Sequence, residues 1–129
     1  MSLAFRRPNI DINAKQRALV LIQGSGAVRA GIWARSVCIN EGLETGSMLP
    51  FIDICKRKDI AVLVMNPNFN RDPETGSIVP YNTTMTEHAV FVWRNYVLPS
   101  GFTDICVVAH SAGGACLREI QRKFADTFY

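Results

Sequence analysis

The chain has 129 residues, of which 48% are hydrophobic and 19% are charged, and its formal net charge is +3. This length and composition are typical of one domain with a single core, which excludes low-complexity disorder and solenoid repeats. The Lys and Arg residues are scattered, which favours solvated helix faces over direct binding of nucleic acid. No apolar run reaches the roughly 20 residues of a membrane helix, and no secretory signal is recognisable, so a cytoplasmic location is expected, with the nucleus as the alternative.

Three short apolar runs, bounded by turn residues, predict strands at 18–23, 60–65 and 104–109. Polar residues do not alternate with apolar ones in these runs, so each strand is expected to be buried on both faces. Segments with helical spacing separate the strands. The pattern predicts an α/β fold with a parallel sheet and flanking helices.

Helices are predicted near 32–40, from Ser47 as N-cap to about Lys58, and from Thr84 to about Val97, where Thr84 and Glu87 form a capping box. His88 is expected on the polar side of this last helix. Its apolar stripe is predicted to consist of Met85, Ala89, Val92, Trp93 and Tyr96.

Two features between these elements bear on function. The stretch 66–83 contains three prolines and several asparagines, and is predicted to be a long polar loop of the kind that often carries functional residues. The four cysteines have no CxxC spacing and lie within apolar patterns, which predicts small buried side chains in a reducing compartment, with no metal or cofactor indicated. These are Cys38, Cys55, Cys106 and Cys116.

The segment after the last strand, from Ala109 to Gly113, matches the G-x-S-x-G pattern except at its first position. Small residues around Ser111 suit a sharp strand-to-helix turn in which the serine has a strained backbone conformation. The pattern predicts a nucleophile elbow, with Ser111 as the catalytic nucleophile and the Ala112 amide as an oxyanion-hole donor at a helix N-terminus. The alternative is that Ser111 only caps the helix.

The glycine-rich loop after the first of these strands is the second candidate element. In α/β-hydrolases this loop supplies another oxyanion-hole amide, so the Ser25 amide is the candidate donor, and Gly24 and Gly26 allow the close approach of a substrate carbonyl. Gln23 stands where an H-G-x-G sequence has histidine. A dinucleotide-binding loop is excluded because Arg29 replaces the third glycine of that fingerprint.

Only two histidines could act as a general base. His110 adjoins Ser111, and because neighbouring side chains diverge it is expected to support the loop. His88 precedes the serine, whereas the chain order in this fold is Ser, acid, His. The residues after Ser111 include no histidine, and Asp126, on or just past the last helix, is their only aspartate. The triad is therefore expected to be incomplete, with His88, His110 and Gln23 as accessory candidates.

Four segments of the chain are distinctive, at 23–35, 49–52, 64–68 and 109–114. Together they resemble the Arb-type domain family over about residues 16–124. The resemblance implies an α/β-hydrolase-like fold with a serine nucleophile at Ser111 and an oxyanion loop at 24–26, and in a sheet of that type the strands lie in the order 60–65, 18–23, 104–109. It also implies roles in RNA silencing or nuclear RNA processing through protein partners. Gln23 replaces a histidine common in the family, and the sheet is expected to be truncated, without the strands for an acid and a base.

These observations lead to two functional hypotheses for a single domain at 1–129. In the first, Ser111 hydrolyses a small acyl ester, a thioester or an acylated side chain, with a base supplied from outside this chain. In the second, the chain is a non-catalytic protein-interaction module that keeps the elbow as architecture. The strand at 104–109 lacks edge-protecting residues, so its outer edge is expected to self-associate or to be covered by a longer parent chain, by the segment near 5–12 or by a helix.

Overall fold

The computed structural model describes residues 2–6, 17–25 and 30–127. Within these ranges no helix has the length and apolar character needed to cross a bilayer. The strands are β1 (Ser2–Arg6), β2 (Arg17–Ile22), β3 (Ala61–Val64) and β4 (Asp104–Ala109). The α-helices are α1 (Arg35–Glu41), α2 (Leu43–Gly46), α3 (Leu49–Arg57), α4 (Met85–Val92) and α5 (Gly113–Lys123). A π-helical turn, Trp93–Val97, continues α4, and 3₁₀ turns follow at Leu98–Ser100 and Ala125–Thr127.

The predicted mixed α/β architecture is confirmed. Strands β3, β2 and β4 form a parallel sheet in the predicted order, with Leu19 of β2 opposite both Val62 and Cys106. Strand β1 is antiparallel to β4 and pairs Leu3 with Val107. The edge through which self-association is expected is therefore occupied by an N-terminal strand. That strand includes the first two residues of the segment near 5–12, and the remainder of this segment lies outside the described residues.

The hydrophobic core lies on one face of the sheet, beneath α4, the π-helical turn and α5. Trp93 is fully buried there, and a buried aromatic side chain of this size contributes on the order of 1.5–3 kcal/mol to stability. This core fixes the ends of the strands from which the candidate site is built. Its buried members are Ala18, Val20, Ile22, Met65, Ala89, Trp93, Val97, Ile105, Val107, Ala109, Cys116, Leu117 and Ile120.

The other face of the sheet is more open, so the prediction that every strand is buried on both faces is wrong for β4, and it is wrong for the edge strand β3, which has no fully buried residue. Ile105 and Val107 are buried, whereas Cys106 between them is exposed. Helix α3 packs beside β3, and the Cys106 side of β4 stays accessible to solvent. The prediction that all four cysteines are buried is wrong for Cys106 for this reason, and Cys38 on α1 is only half-buried.

The predicted helices are present, with two shifts. Thr84 caps α4 as predicted, its hydroxyl accepting a hydrogen bond from the Glu87 amide at 3.1 Å. Tyr96 is 62% exposed rather than part of the buried stripe, because the wider π-helical turn advances the register and buries Val97 instead. Helix α3 begins at Leu49 rather than directly after Ser47, although the Ser47 hydroxyl still accepts a hydrogen bond from the Leu49 amide.

Candidate functional site

Three loops meet at the carboxyl edge of the parallel sheet, the edge at which open α/β sheets bind their ligands. One loop follows β2 at Gly24, one follows β3 at 66–68, and one follows β4 at His110 and Ser111. A backbone hydrogen bond joins the loop after β4 to the end of β2, since the His110 amide donates to the Ile22 carbonyl at 3.0 Å. The sequence-predicted residues therefore gather at one edge of the sheet.

Ser111 occupies the tight turn between β4 and α5 and has a φ of +56°. This left-handed conformation costs a residue with a side chain on the order of 1–3 kcal/mol, so the surrounding packing must hold it in place. The serine is exposed. Helix α5 has Ala112 at its N-cap position and no side-chain cap, so the alternative that Ser111 merely caps the helix is not supported.

Two glycines allow the β2 loop to approach this turn. A Cβ at Gly24 would lie 3.3 Å from the Cβ of Ser111, which places the two residues in direct contact. A Cβ at Gly113 would lie 2.6 Å from the Ile22 carbonyl oxygen, closer than real side chains come. The beginning of α5 can therefore pack on the end of β2 only with glycine at position 113.

The other oxyanion-hole candidates differ in their surroundings. Gln23 is fully buried beneath the turn, Ser25 is exposed, and Ala112 is half-buried. Gly26 lies outside the described residues. The structure thus brings Gly24 against Ser111 and leaves the predicted donor roles of the Ser25 and Ala112 amides as predictions.

An aromatic wall stands beside the turn. Trp33 lies between Phe51 and His110, with ring centroids 5.8 Å and 6.1 Å away respectively. The His110 side chain is exposed and contacts Trp33, and its role in supporting the loop stays a prediction. Trp33 is half-buried and Phe51 is 38% exposed, so the wall presents apolar surface next to Ser111.

The loop 66–83 is organised by asparagine side chains, a feature that sequence reasoning missed. Asn68 donates from its side chain to the Gly24 carbonyl at 2.8 Å and so ties this loop to the Ser111 turn. Asn70 donates to the carbonyl of Asn82, and Asn82 donates back to the carbonyl of Phe69 at 3.0 Å. The available signal was the density of asparagines within one loop, since these side chains readily replace backbone partners in turns.

His88 holds this loop through hydrogen bonds from both of its ring nitrogens. It is buried, at 8% exposure, so its predicted place on the polar side of α4 is wrong. Its Nε2 accepts a hydrogen bond from the Asn66 amide at 3.0 Å, and its Nδ1 lies 2.6 Å from the Asn82 Oδ1. Because the amide can only donate, the neutral ring carries its proton on Nδ1 and donates to Asn82. Burial lowers the pKa of His88 from its usual value of 6.5.

The chain is similar to a known domain family and to several known proteins. Residues 9–71 match the Arb2 domain family. The chain is 43% identical over 117 residues to a FAM172 family protein homologue of Caenorhabditis elegans, covering 89% of this chain and 37% of that protein. It is 31% identical to a cotranscriptional regulator ARB2A homologue of Dictyostelium discoideum, covering 76% of this chain and 34% of that protein. These matches support assignment to the Arb-type family.

Human cotranscriptional regulator ARB2A is 28% identical to this chain over 156 residues, covering 82% of the chain. The chain spans 38% of the length of that relative. No solved structure matches this chain. Gly24 and Asn68 lie within the part that matches the Arb2 domain, whereas Ser111 lies beyond it.

The cysteines with shifted pKa values and Asp126 add no residue to the candidate site of this chain. Burial raises the pKa of the Cys116 thiol to about 11, and burial, together with the neighbouring Cys106, raises the pKa of Cys55. Asp126 lies in the exposed 3₁₀ turn after α5, where the sequence predicts it. Within the described ranges no three His, Cys, Asp or Glu side chains are grouped so as to hold a metal ion.

Proposed function

We propose that this chain is a regulatory Arb-type domain that works through protein contacts in nuclear RNA processing. The observation that carries the proposal is the use of His88, whose two ring nitrogens are engaged by Asn66 and Asn82 inside the loop 66–83. The chain has only one other histidine, His110, which adjoins Ser111 in sequence. The residues of this chain therefore supply a turn and an aromatic wall, with no histidine committed to accepting the serine proton.

The relatives support the same reading, since those with a functional description are named cotranscriptional regulators. The chain covers little more than a third of each, 34% and 38%, so their activity is transferred here as a proposal. In this proposal residues 1–129 form one domain, and the α/β-hydrolase-like elbow is kept because it packs β2, β4 and α5 together.

Rescue of cells that lack this protein tests this role. Protein carrying Ser111→Ala is expected to restore nuclear RNA processing as well as the wild type does. Asn82→Ala, which removes the partner of His88 and loosens the loop 66–83, is expected to restore it less well. Failure of Ser111→Ala at normal protein levels, with rescue by Asn82→Ala, would contradict the proposal.

One feature favours a second function, hydrolysis of an acyl ester or thioester by Ser111. Its φ of +56°, its exposure and its contact with Gly24 are what a nucleophile elbow requires. In this alternative the Ser25 and Ala112 amides bind the oxyanion, the wall of Trp33 and Phe51 receives the acyl group, and a base comes from outside this chain.

A fluorophosphonate probe distinguishes the two functions. The regulatory proposal expects slow labelling of the chain at a rate close to that of an ordinary surface serine, because loss of the base costs several orders of magnitude in rate. Rapid stoichiometric labelling that Ser111→Ala abolishes, and that persists in His88→Gln, would support the hydrolase function with a base other than His88.

A further inference from the structure

A cavity of about 680 Å³ lies between α4, α5 and the end of the loop 66–83. No residue of the Ser111 turn lines it, so it is separate from the candidate site. Its size lies within the range of roughly 300–1,000 Å³ that binding pockets occupy. We refer to this cavity as the α4–α5 groove.

An aromatic platform forms one wall of the groove. The ring of Tyr81 stacks on Phe91 with centroids 4.4 Å apart and ring planes 14° apart. Tyr81 is 59% exposed and has a φ of +63°, a conformation that side chains rarely adopt. A strained, exposed tyrosine contributes little to a core, whereas such rings are common anchors in interfaces between proteins.

The charges of the lining are uneven. The Arg94 guanidinium lies 5.5 Å from the ring centroid of Phe124. Glu119 also lines the groove, where it pairs with Arg122, and Lys123 lies close enough to help lower the pKa of that carboxyl. Because Arg122 already balances the charge of Glu119, Arg94 and Lys123 give this side of the groove a positive charge that a ligand carboxylate can meet.

The acidic residues that line the groove disfavour binding of a nucleic acid. Glu87 and Glu119 stand in the same groove as the two cations, and a chain of phosphates would be repelled by both. A peptide segment carries its carboxylates singly and can keep them at the cationic side. The lining thus fits a peptide better than RNA.

We propose that the α4–α5 groove binds a segment of a partner protein in which an aromatic or branched apolar side chain stands next to an Asp or Glu. The apolar side chain packs on Tyr81 and Phe91, and the carboxylate meets Arg94 and Lys123. This assigns a partner class to the proposed interaction role, on which it rests. Rescue by Ser111→Ala tests that role, and the peptide experiment tests the groove, so that the two can fail separately.

The experiment is a selection from a random 12-residue peptide library displayed on phage, with the whole 129-residue chain as bait, followed by affinity measurements on the enriched peptides. The enriched sequences are expected to combine an aromatic or branched apolar residue with an adjacent Asp or Glu. Tyr81→Gly is expected to weaken their binding about 10-fold or more, since glycine adopts this φ without strain and only the ring is lost. Lys123→Glu is expected to weaken it by a similar factor.

Two matched variants serve as controls. Ile78→Ala shortens a 51% exposed side chain of the same loop outside the groove, and Lys56→Glu reverses an exposed charge on α3. Both are expected to bind the peptides as the wild type does. The inference is overturned if no acidic-apolar sequence is enriched, if Tyr81→Gly and Lys123→Glu bind the peptides like the wild type, or if a 12-nucleotide uridine RNA binds the groove more tightly than they do.

Discussion

The turn at Ser111 and the loop 66–83 reach the same edge of the sheet by different physical means. The turn is fixed by sterics, with glycine where backbones touch and a serine held at positive φ. The loop is fixed by hydrogen bonds from asparagine side chains to backbone groups and by the buried ring of His88. The second region thus uses His88, one of the two histidines of the chain, as a structural group.

The largest effect on the free energy of unfolding is expected at the sterically fixed turn around Ser111. Gly113→Ala is expected to lower the free energy of unfolding by about 3 kcal/mol, because its Cβ would lie 2.6 Å from the Ile22 carbonyl oxygen. Gly114→Ala, whose Cβ would meet no atom within 4 Å, is expected to leave stability unchanged or to raise it by up to about 1 kcal/mol. Urea unfolding of both variants measures the difference, and equal stabilities would refute the close packing of α5 on β2.

The next largest effect on the free energy of unfolding is expected in the hydrogen-bonded loop 66–83. His88→Leu is expected to cost about 2 kcal/mol, because it leaves the half-buried Asn66 amide and the Asn82 Oδ1 without their hydrogen-bond partner. Asn95→Ala, which removes an exposed bond to the Phe91 carbonyl, is the control and is expected to cost less than about 1 kcal/mol. Hydrogen exchange should show faster exchange of the Asn66 amide in His88→Leu only. Unchanged protection of that amide would mean that His88 does not hold the loop.

The same ring makes stability depend on pH. Since burial lowers the pKa of His88 below 6.5, the unfolded chain binds a proton more readily than the folded one. The contribution of His88 is therefore present above pH 6.5 and is lost as the pH falls from 6.5 through the folded-state pKa. The stability of the wild type should fall over this range more than that of His88→Leu, measured by thermal unfolding at several pH values. Parallel curves would show that the ring is not a buried neutral group.

The smallest effect concerns the strain at Ser111. Ser111→Gly is expected to raise the free energy of unfolding by about 1 kcal/mol, since it relieves about 1–3 kcal/mol of strain and loses roughly 0.5–1 kcal/mol to backbone entropy. Ser111→Ala keeps the strain and should show no gain. If both variants have the stability of the wild type in urea, the turn is not strained.

The sequence predicts the two regions unequally for physical reasons. The Ser111 turn is local, so small residues after an apolar strand suffice to predict it. The bonds from Asn68 to Gly24 and from His88 to Asn66 join residues 44 and 22 positions apart, which no local pattern encodes. The parallel direction of β2, β3 and β4 follows from the alternation of strands and helices. The pairing of β1 with β4 is predicted only as one of several possible covers of that edge, because it depends on tertiary placement. The exposure of Tyr96 likewise depends on a π-helical turn that helical spacing does not reveal.

The central claim is that His88 supports the loop and does not serve Ser111, and long-range proton–nitrogen NMR of the histidine rings tests it most directly. The account predicts that at pH 7 His88 is a neutral ring protonated on Nδ1, with a pKa below 6.5 that Ser111→Ala leaves unchanged. A His88 ring protonated on Nε2, or a pKa that changes when Ser111 is replaced, would contradict it.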